Sequence, residues 1–266
     1  MTLQVSPARR FEGRTALITG GSSGIGLAAS RRLAAEGANV LIIGRDAARL
    51  GRAVDAVRAV AGASGAPISP SVEGRVADVT DPAAVEAAVE HAAGLAGRLD
   101  VVVAAAGIDG EGRNVLDLDA AAFANVLDVN VRGLFLAGQA GARRMAADGR
   151  GGAIVLVASV NGLFAEPLFA DYNASKGAAV LLARSMAVDL ATRGIRVNAV
   201  CPGYVRTPMT ETYLEDPATL ARIVACIPLG RVADAEEIAS LIAFLASDEA
   251  SYITGSAVVI DGGRSA

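Results

Sequence analysis

The chain has 266 residues, 53% of them hydrophobic and 20% charged, with a formal net charge of −4, a composition that describes a globular chain with one large core and excludes a disordered one. The acidic balance, with no Lys/Arg block, argues against nucleic acid and against an anionic membrane surface as partners. Two cysteines and a single histidine give no disulfide framework and no metal-ligand spacing, and leave almost no material for a histidine-based triad.

Residues 1–12 read as a loose arm without an apolar signal core, so a cytoplasmic location is the expectation. Apolar runs such as 101–108 are too short to cross a bilayer. Residues 15–18 form a first apolar, β-branched strand that ends at Thr19-Gly20-Gly21-Ser22-Ser23-Gly24-Ile25-Gly26. An amphipathic helix over 27–36 follows, then a second buried strand over 40–43. Strand, glycine-rich turn, helix and parallel strand make the unit that binds dinucleotides. Its glycines permit a tight turn and close approach of backbone to a pyrophosphate, while the helix N-terminus supplies N–H groups and positive dipole. The run Gly20-Gly21-Ser22-Ser23-Gly24 also satisfies G-x-S-x-G, a hydrolase nucleophile elbow. That chemistry needs a base, and the only histidine, His91, lies inside a predicted helix.

The alternation continues with a helix over 46–61, a loop over 62–67 and a third strand over 72–79. A fourth strand over 99–105 is near-continuously apolar, as a sheet covered on both faces requires. A helix over 120–131 carries Asn130, and a fifth strand over 153–158 delivers Ser159 at its end. A sixth strand over 195–200 ends at Cys201-Pro202-Gly203, and a seventh covers 257–260. Alternating strands and helices predict an α/β fold: one doubly wound Rossmann domain over 13–266, with a seven-stranded parallel sheet flanked by helices. Residues 204–228, bracketed by Pro208, Pro217 and Pro228, are expected to form a substrate lid.

Tyr172-Asn173-Ala174-Ser175-Lys176 opens an Ala-rich helical run. Residues four apart share a helix face, so Tyr172 and Lys176 point the same way. A free phenol titrates near about 10. A neighbouring ammonium favours the phenolate, which would make Tyr172 a usable general acid/base.

The spacing T-G-x-x-x-G-x-G at Gly20, Gly24 and Gly26, with Ser159 thirteen residues before Tyr172 and Lys176 four after it, resembles the short-chain dehydrogenase/reductase family from Arg14 to Gly263. The resemblance implies a catalytic set of Asn130, Ser159, Tyr172 and Lys176. Tyr172 would exchange the proton of the substrate hydroxyl, and Ser159 would hydrogen-bond the substrate oxygen. Lys176 would lower the tyrosine pKa and hold the nicotinamide ribose, and Asn130 would position a water joining Lys176 to solvent. It further implies that Asp78 and Val79 border the adenine, that Ala105 and Gly107 allow close cofactor approach, and that Pro202, Gly203, the Val205 backbone and the Thr207 hydroxyl meet the carboxamide. At Ala104 the family usually has an asparagine that ties neighbouring strands, which alanine cannot do.

The cofactor choice rests on Gly44-Arg45 at the end of the second strand. Glycine leaves room for a 2′-phosphate, and arginine can pair with it bidentately, with Ser22 and Ser23 as added hydroxyl donors. Asp46 stands about 20 residues past the glycines, where an acid would hold the ribose of NAD, but it reads better as a helix cap. NADP(H) is the expectation and NAD(H) the alternative. The loop 161–169 is apolar, which hints at an apolar or acyl substrate. By resemblance the expected enzyme is a ketone reductase or secondary-alcohol dehydrogenase with a 3-oxoacyl-type substrate. The alternatives are an NAD-dependent dehydrogenase of a sugar, steroid or cyclic alcohol, and a non-catalytic dinucleotide-binding regulator. A homo-oligomer, by resemblance a tetramer, is expected through the helix face at 178–190 and the C-terminal strand.

Overall fold

The computed structural model describes residues 9–63 and 69–266; the segment 1–8 of the expected arm, residues 64–67 of the expected loop and residue 68 lie outside the described residues. In chain order the elements are β1 (Thr15–Thr19), α1 (Gly24–Ala35), β2 (Asn39–Gly44), α2 (Ala47–Ala63), β3 (Val72–Val76), α3 (Pro82–Gly94), β4 (Val101–Ala104), α4 (Ala120–Leu127), α5 (Gly133–Asp148) and β5 (Gly152–Val157). They continue with α6 (Ala170–Leu190), β6 (Ile195–Pro202), β7 (Val205–Arg206), α7 (Glu211–Glu215), α8 (Pro217–Ala225), β8 (Ala233–Asp234), α9 (Ala235–Ala246) and β9 (Ala257–Ile260).

Seven strands form one parallel sheet in the order β3-β2-β1-β4-β5-β6-β9. The order reverses between β1 and β4, and a ligand crevice opens beyond the carboxyl ends of the strands at such a point. The central strands are buried along their length, with Leu17, Ile42, Val103 and Ile154 fully enclosed. One apolar layer joins Leu17, Val102 and Leu156 to α3, α5 and α6, and the other joins Ile18, Val103 and Val155 to α1, α2 and α9. Parallel sheets require this cover on both faces.

The structure departs from the sequence expectations at five places. Phe11 is fully buried, and Arg10 Nε lies 2.6 Å from Oε2 of the buried Glu36, so residues 10 and 11 are packed rather than loose. β3 stops at Val76, because Asp78 folds into a turn in which its Oδ1 accepts from Thr80 N at 2.9 Å. Ala104 does lack a side chain to tie strands, yet Thr19 Oγ1 accepts from both Ala105 N and Ala106 N at 3.1 Å and joins β1 to the end of β4. The expected helix over 120–131 is broken by a π turn, Asp128–Arg132, between α4 and α5. β7 and β8 pair in parallel, Val205 with Ala233 and Arg206 with Asp234, at the base of the segment expected to be a lid. Within that segment α7 and α8 enclose a small core of Leu214, Ile223 and Ile227 with Val232.

The helical run Ala120–Asp148 is, by length and composition alone, long and apolar enough to cross a membrane. Here Leu134, Ala137 and Met145 pack into the core and Asn130 is fully buried.

Candidate active site

The first wall is built by the turn after β1. Gly20 takes φ +65°, and a Cβ there would stand 2.7 Å from the Ala106 Cα. At Gly26 a Cβ would stand 2.4 Å from the Gly20 carbonyl oxygen. Only glycine lets the turn, the β4 end and the first turn of α1 close on one another. The N-cap of α1, Ser23, makes no side-chain hydrogen bond to the helix, so its first amides are left for an anionic ligand. His91 pairs with Glu73, with Nε2 2.8 Å from Oε2 on the α3–β3 side, and supplies no base to Ser22.

A cavity of about 520 Å³ runs from this turn to α6. Gly20, Ser22, Ser23, Gly24, Ile25 and Gly26 line one side. Arg45, Asp78, Val79, Ala105 and Gly107 line the middle, and Tyr172, Lys176, Pro202, Gly203, Val205 and Thr207 line the far end. The structure thus brings every sequence-predicted cofactor residue to one cleft. Asp46 Oδ1 accepts from Arg49 N at 2.9 Å, the cap expected of it, and its carboxyl is held below its ordinary range chiefly by that bond. Arg45 has no carboxylate within ion-pair distance among the described residues. A backbone-lined glycine turn, open helix amides and an open guanidinium fit a nicotinamide dinucleotide.

At the far end, α6 presents Tyr172 and Lys176 one turn apart. The Lys176 ammonium lies 5.3 Å from the Tyr172 ring centroid and donates to Val157 O at 3.0 Å. Ser159, at the end of β5, accepts from Asn161 N at 3.1 Å. Burial pushes the Tyr172 phenol above its usual range, the Asp109 charge adds to this, and a Ser159 hydrogen bond opposes it. Burial likewise pushes Lys176 down to about 8, against the attraction of Cys201 and Asp109. Desolvation disfavours both charged forms, and the phenol is held protonated at neutral pH.

Asn130 stands one layer behind the cleft, carried there by the π turn, a device frequent at functional sites. Its Oδ1 accepts from Ile108 N at 2.8 Å, and its Nδ2 donates to Ile108 O at 2.9 Å and to Ser175 Oγ at 3.1 Å. Both ends of the carboxamide are engaged by protein groups, and they fix the loop after β4.

A second cavity, about 410 Å³, meets the first at Ser159, Tyr172, Gly203, Met209 and Thr210. Its wall was expected to be apolar, and Leu168, Phe169, Met209 and Ile223 fit that; Asp109, Asn161, Glu166, Arg222 and Arg264 do not. Arg264 ion-pairs with Glu166 and stacks 4.7 Å from the Tyr204 ring centroid and 5.3 Å from that of Phe164. Leu168 takes φ +70°, the one non-glycine residue in the left-handed region among the described residues, a strain of a kind that gathers at ligand sites. Asn173 Nδ2 donates to Glu166 O at 2.8 Å and anchors this loop to α6. Sequence reasoning missed Asp109, Tyr213 and the Glu166–Arg264 pair. The only available signal was the position of Asp109, two residues past the Gly107 turn.

The family described as Enoyl-(Acyl carrier protein) reductase matches residues 20–265. Galactitol 2-dehydrogenase (L-tagatose-forming) of Cereibacter sphaeroides is 41% identical over 256 residues, covering 96% of each chain. Cis-4-hydroxycyclohexanecarboxylate dehydrogenase of Sinomonas cyclohexanicum is 41% identical, covering 96% of this chain and 98% of that one. A short-chain type dehydrogenase/reductase from Mycobacterium ulcerans superposes with a TM-score of 0.91 at 33% identity, covering 96% of this chain and 90% of that one. With the glycine turn, the two-cavity cleft and these relatives in agreement, the chain belongs to the short-chain dehydrogenase/reductase family, oxidoreductases that act on CH–OH donors with a nicotinamide dinucleotide.

Proposed function

We propose that the protein transfers a hydride between NADP(H) and a ketone or its secondary alcohol, with Tyr172, Ser159, Lys176 and Asn130 as its catalytic set. The observation that carries this reading is the position of Ser159 and Tyr172, which stand where the dinucleotide-shaped cleft meets the second cavity. A reacting carbonyl placed there has a phenol and a hydroxyl within reach. The bound dinucleotide supplies the hydride donor or acceptor. Tyr172 Oη gives its proton to the oxygen that becomes the alcohol, and takes it back in oxidation. The Ser159 hydroxyl donates to that oxygen and stabilises its developing charge. Lys176 holds the ribose side of the cleft. Asn130 keeps the 107–109 loop against the cleft. Residues 204–228 act as the lid that excludes water.

Gly44 and Arg45 support NADP(H), since glycine leaves space beside Ser22 and, among the described residues, no carboxylate lies within ion-pair distance of the guanidinium. A charge-assisted contact contributes about 1.5–3 kcal/mol. NADPH should therefore bind tighter than NADH by titration, and Arg45→Ala should erase about 10- to 100-fold of that preference. Equal or tighter NADH binding, untouched by the variant, would move the reading to an NAD-dependent alcohol dehydrogenase. The polar half of the second cavity favours that second substrate class, sugars and cyclic alcohols, over a 3-oxoacyl chain, and both named relatives act on secondary alcohols.

A cytoplasmic homo-oligomer, tetrameric by family resemblance, belongs to the same proposal. It is supported by Leu181 and Val188 on α6, 61% and 78% exposed, and by Val259 on β9, 40% exposed. Sedimentation should give a multiple of the 26.7 kDa chain mass; a monomeric mass would refute it.

A further inference from the structure

One charged group of the second cavity bears on Tyr172 through its charge but takes no direct part in proton or hydride transfer. Asp109 follows β4 in a loop that is clamped on both sides. Asn130 holds Ile108 through both of its backbone groups, and the fully buried Asp171 accepts from Glu111 N at 2.9 Å through Oδ2. Between them Gly110 packs so closely that a Cβ would stand 2.5 Å from Asp171 Oδ1. The Asp109 carboxylate is thereby fixed against the wall that holds Ser159 and Tyr172.

Its partners are few. Oδ1 accepts from Gly110 N at 2.9 Å, and Oδ2 accepts from the Tyr213 hydroxyl of α7 at 2.8 Å. A carboxylate offers about four lone-pair sites, so acceptor capacity remains towards the cavity. The other charges of the wall stand differently. Glu166 is neutralised by Arg264. Arg222 lies exposed at the rim, where its Nη2 donates to Thr219 Oγ1 at 3.0 Å. Asp109 therefore presents to this wall a negative charge with no ion-pair partner among the described residues, and that charge acts on both Tyr172 and Lys176. It attracts hydroxyl donors and repels carboxylates.

Resting on the reading of the protein as a secondary-alcohol or ketone oxidoreductase, we propose that Asp109 is a specificity-determining residue that accepts a hydrogen bond from a second hydroxyl of the substrate, so that the substrate is a neutral polyhydroxylated alcohol or hydroxyketone. A site built to bond a substrate hydroxyl discriminates strongly against the analogue that lacks it, because its buried polar group is left unpaired. Tyr213 acts through Asp109: its hydroxyl orients the carboxylate from the lid side, which links closure of α7 to the same contact.

The test is oxidation, with NADP⁺ and with NAD⁺, of cyclohexanol, the 1,2- and 1,3-cyclohexanediols and 4-hydroxycyclohexanecarboxylate. A diol should exceed cyclohexanol and the carboxylate in kcat/KM by about tenfold or more. Asp109→Asn should reduce the diol-to-cyclohexanol ratio by about tenfold, chiefly through KM for the diol. Tyr213→Phe should reduce it about threefold, and it carries the test should Asp109→Asn fail to fold. Preference of the wild type for cyclohexanol or the carboxylate overturns the proposal, as does a ratio unmoved by the variants. Tyr172→Phe separates the two levels. Turnover that needs Tyr172 but shows no diol preference sinks the role of Asp109 alone, whereas turnover that survives Tyr172→Phe sinks the underlying reading.

Discussion

Replacing Tyr172 by phenylalanine is expected to lower kcat by about 10³-fold while leaving cofactor affinity within about twofold. The magnitude follows from the loss of one positioned proton donor. Burial and the Asp109 charge hold the phenol in its protonated form, so at neutral pH it is ready to donate to a carbonyl being reduced. Phenylalanine keeps the ring that lies 5.3 Å from the Lys176 ammonium, and Lys176 keeps its bond to Val157 O. The cleft wall is therefore preserved and only the hydroxyl is lost. The Ser159 hydroxyl that remains cannot substitute, since it stabilises charge without a matched acidity. Following NADPH oxidation in parallel with a fluorescence titration of cofactor separates the two effects. A variant that retains most of its activity would remove Tyr172 from the acid/base role.

Gly26→Ala should damage the cofactor turn more than any other single methyl added there. The new Cβ would lie 2.4 Å from the Gly20 carbonyl oxygen and 3.0 Å from the Gly21 Cα. These are backbone atoms and cannot swing aside as a side chain would. Overpacking of this kind costs about 1–3 kcal/mol, equivalent to a fall of roughly 2–10 °C in the unfolding midpoint. The strain falls on the turn whose amides face the pyrophosphate side of the cleft, so dinucleotide affinity should drop about 10- to 100-fold in the same variant. Thermal unfolding with and without NADPH reads both. Gly51→Ala on the exposed face of α2, where a Cβ meets nothing, serves as the control. A Gly26→Ala protein that melts and binds like the wild type would show that the turn has slack.

Local signals carried the fold and half of the site. The bounds of strands β1, β2 and β5 could be read within one or two residues, because fully buried parallel strands give unbroken apolar runs. Gly20, Gly24 and Gly26, and the pair Tyr172 and Lys176, were legible because their spacing is short and each spacing has a steric or chemical reason. What escaped the sequence depends on contacts between distant residues. Tyr213 meets Asp109 across 104 residues and Arg264 meets Glu166 across 98. No periodicity marks such pairs. The π turn was hidden for the opposite reason: 120–148 is helical in composition throughout, and the single extra residue that rotates Asn130 inward leaves no compositional trace. Spacing shows the charge that neighbours Tyr172 but not the loss of solvent, which is the larger influence on its phenol.

The two-residue ladder between β7 and β8 has a consequence for how the molecule breathes. It closes a loop that contains α7, α8 and their own small core, and that loop adds nothing to the hydrogen bonding of the main sheet. Such a unit is expected to open as one cooperative element, at a free-energy cost below that of global unfolding, while β1 to β6 stay closed. Its amides would then exchange with solvent as a group, at a rate set by the ladder, the Tyr213–Asp109 bond and the Leu229 N–Gly262 O bond rather than by the core. Substitutions that harden the sheet would leave this exchange untouched, so thermal robustness and access to the cleft can vary independently in this chain.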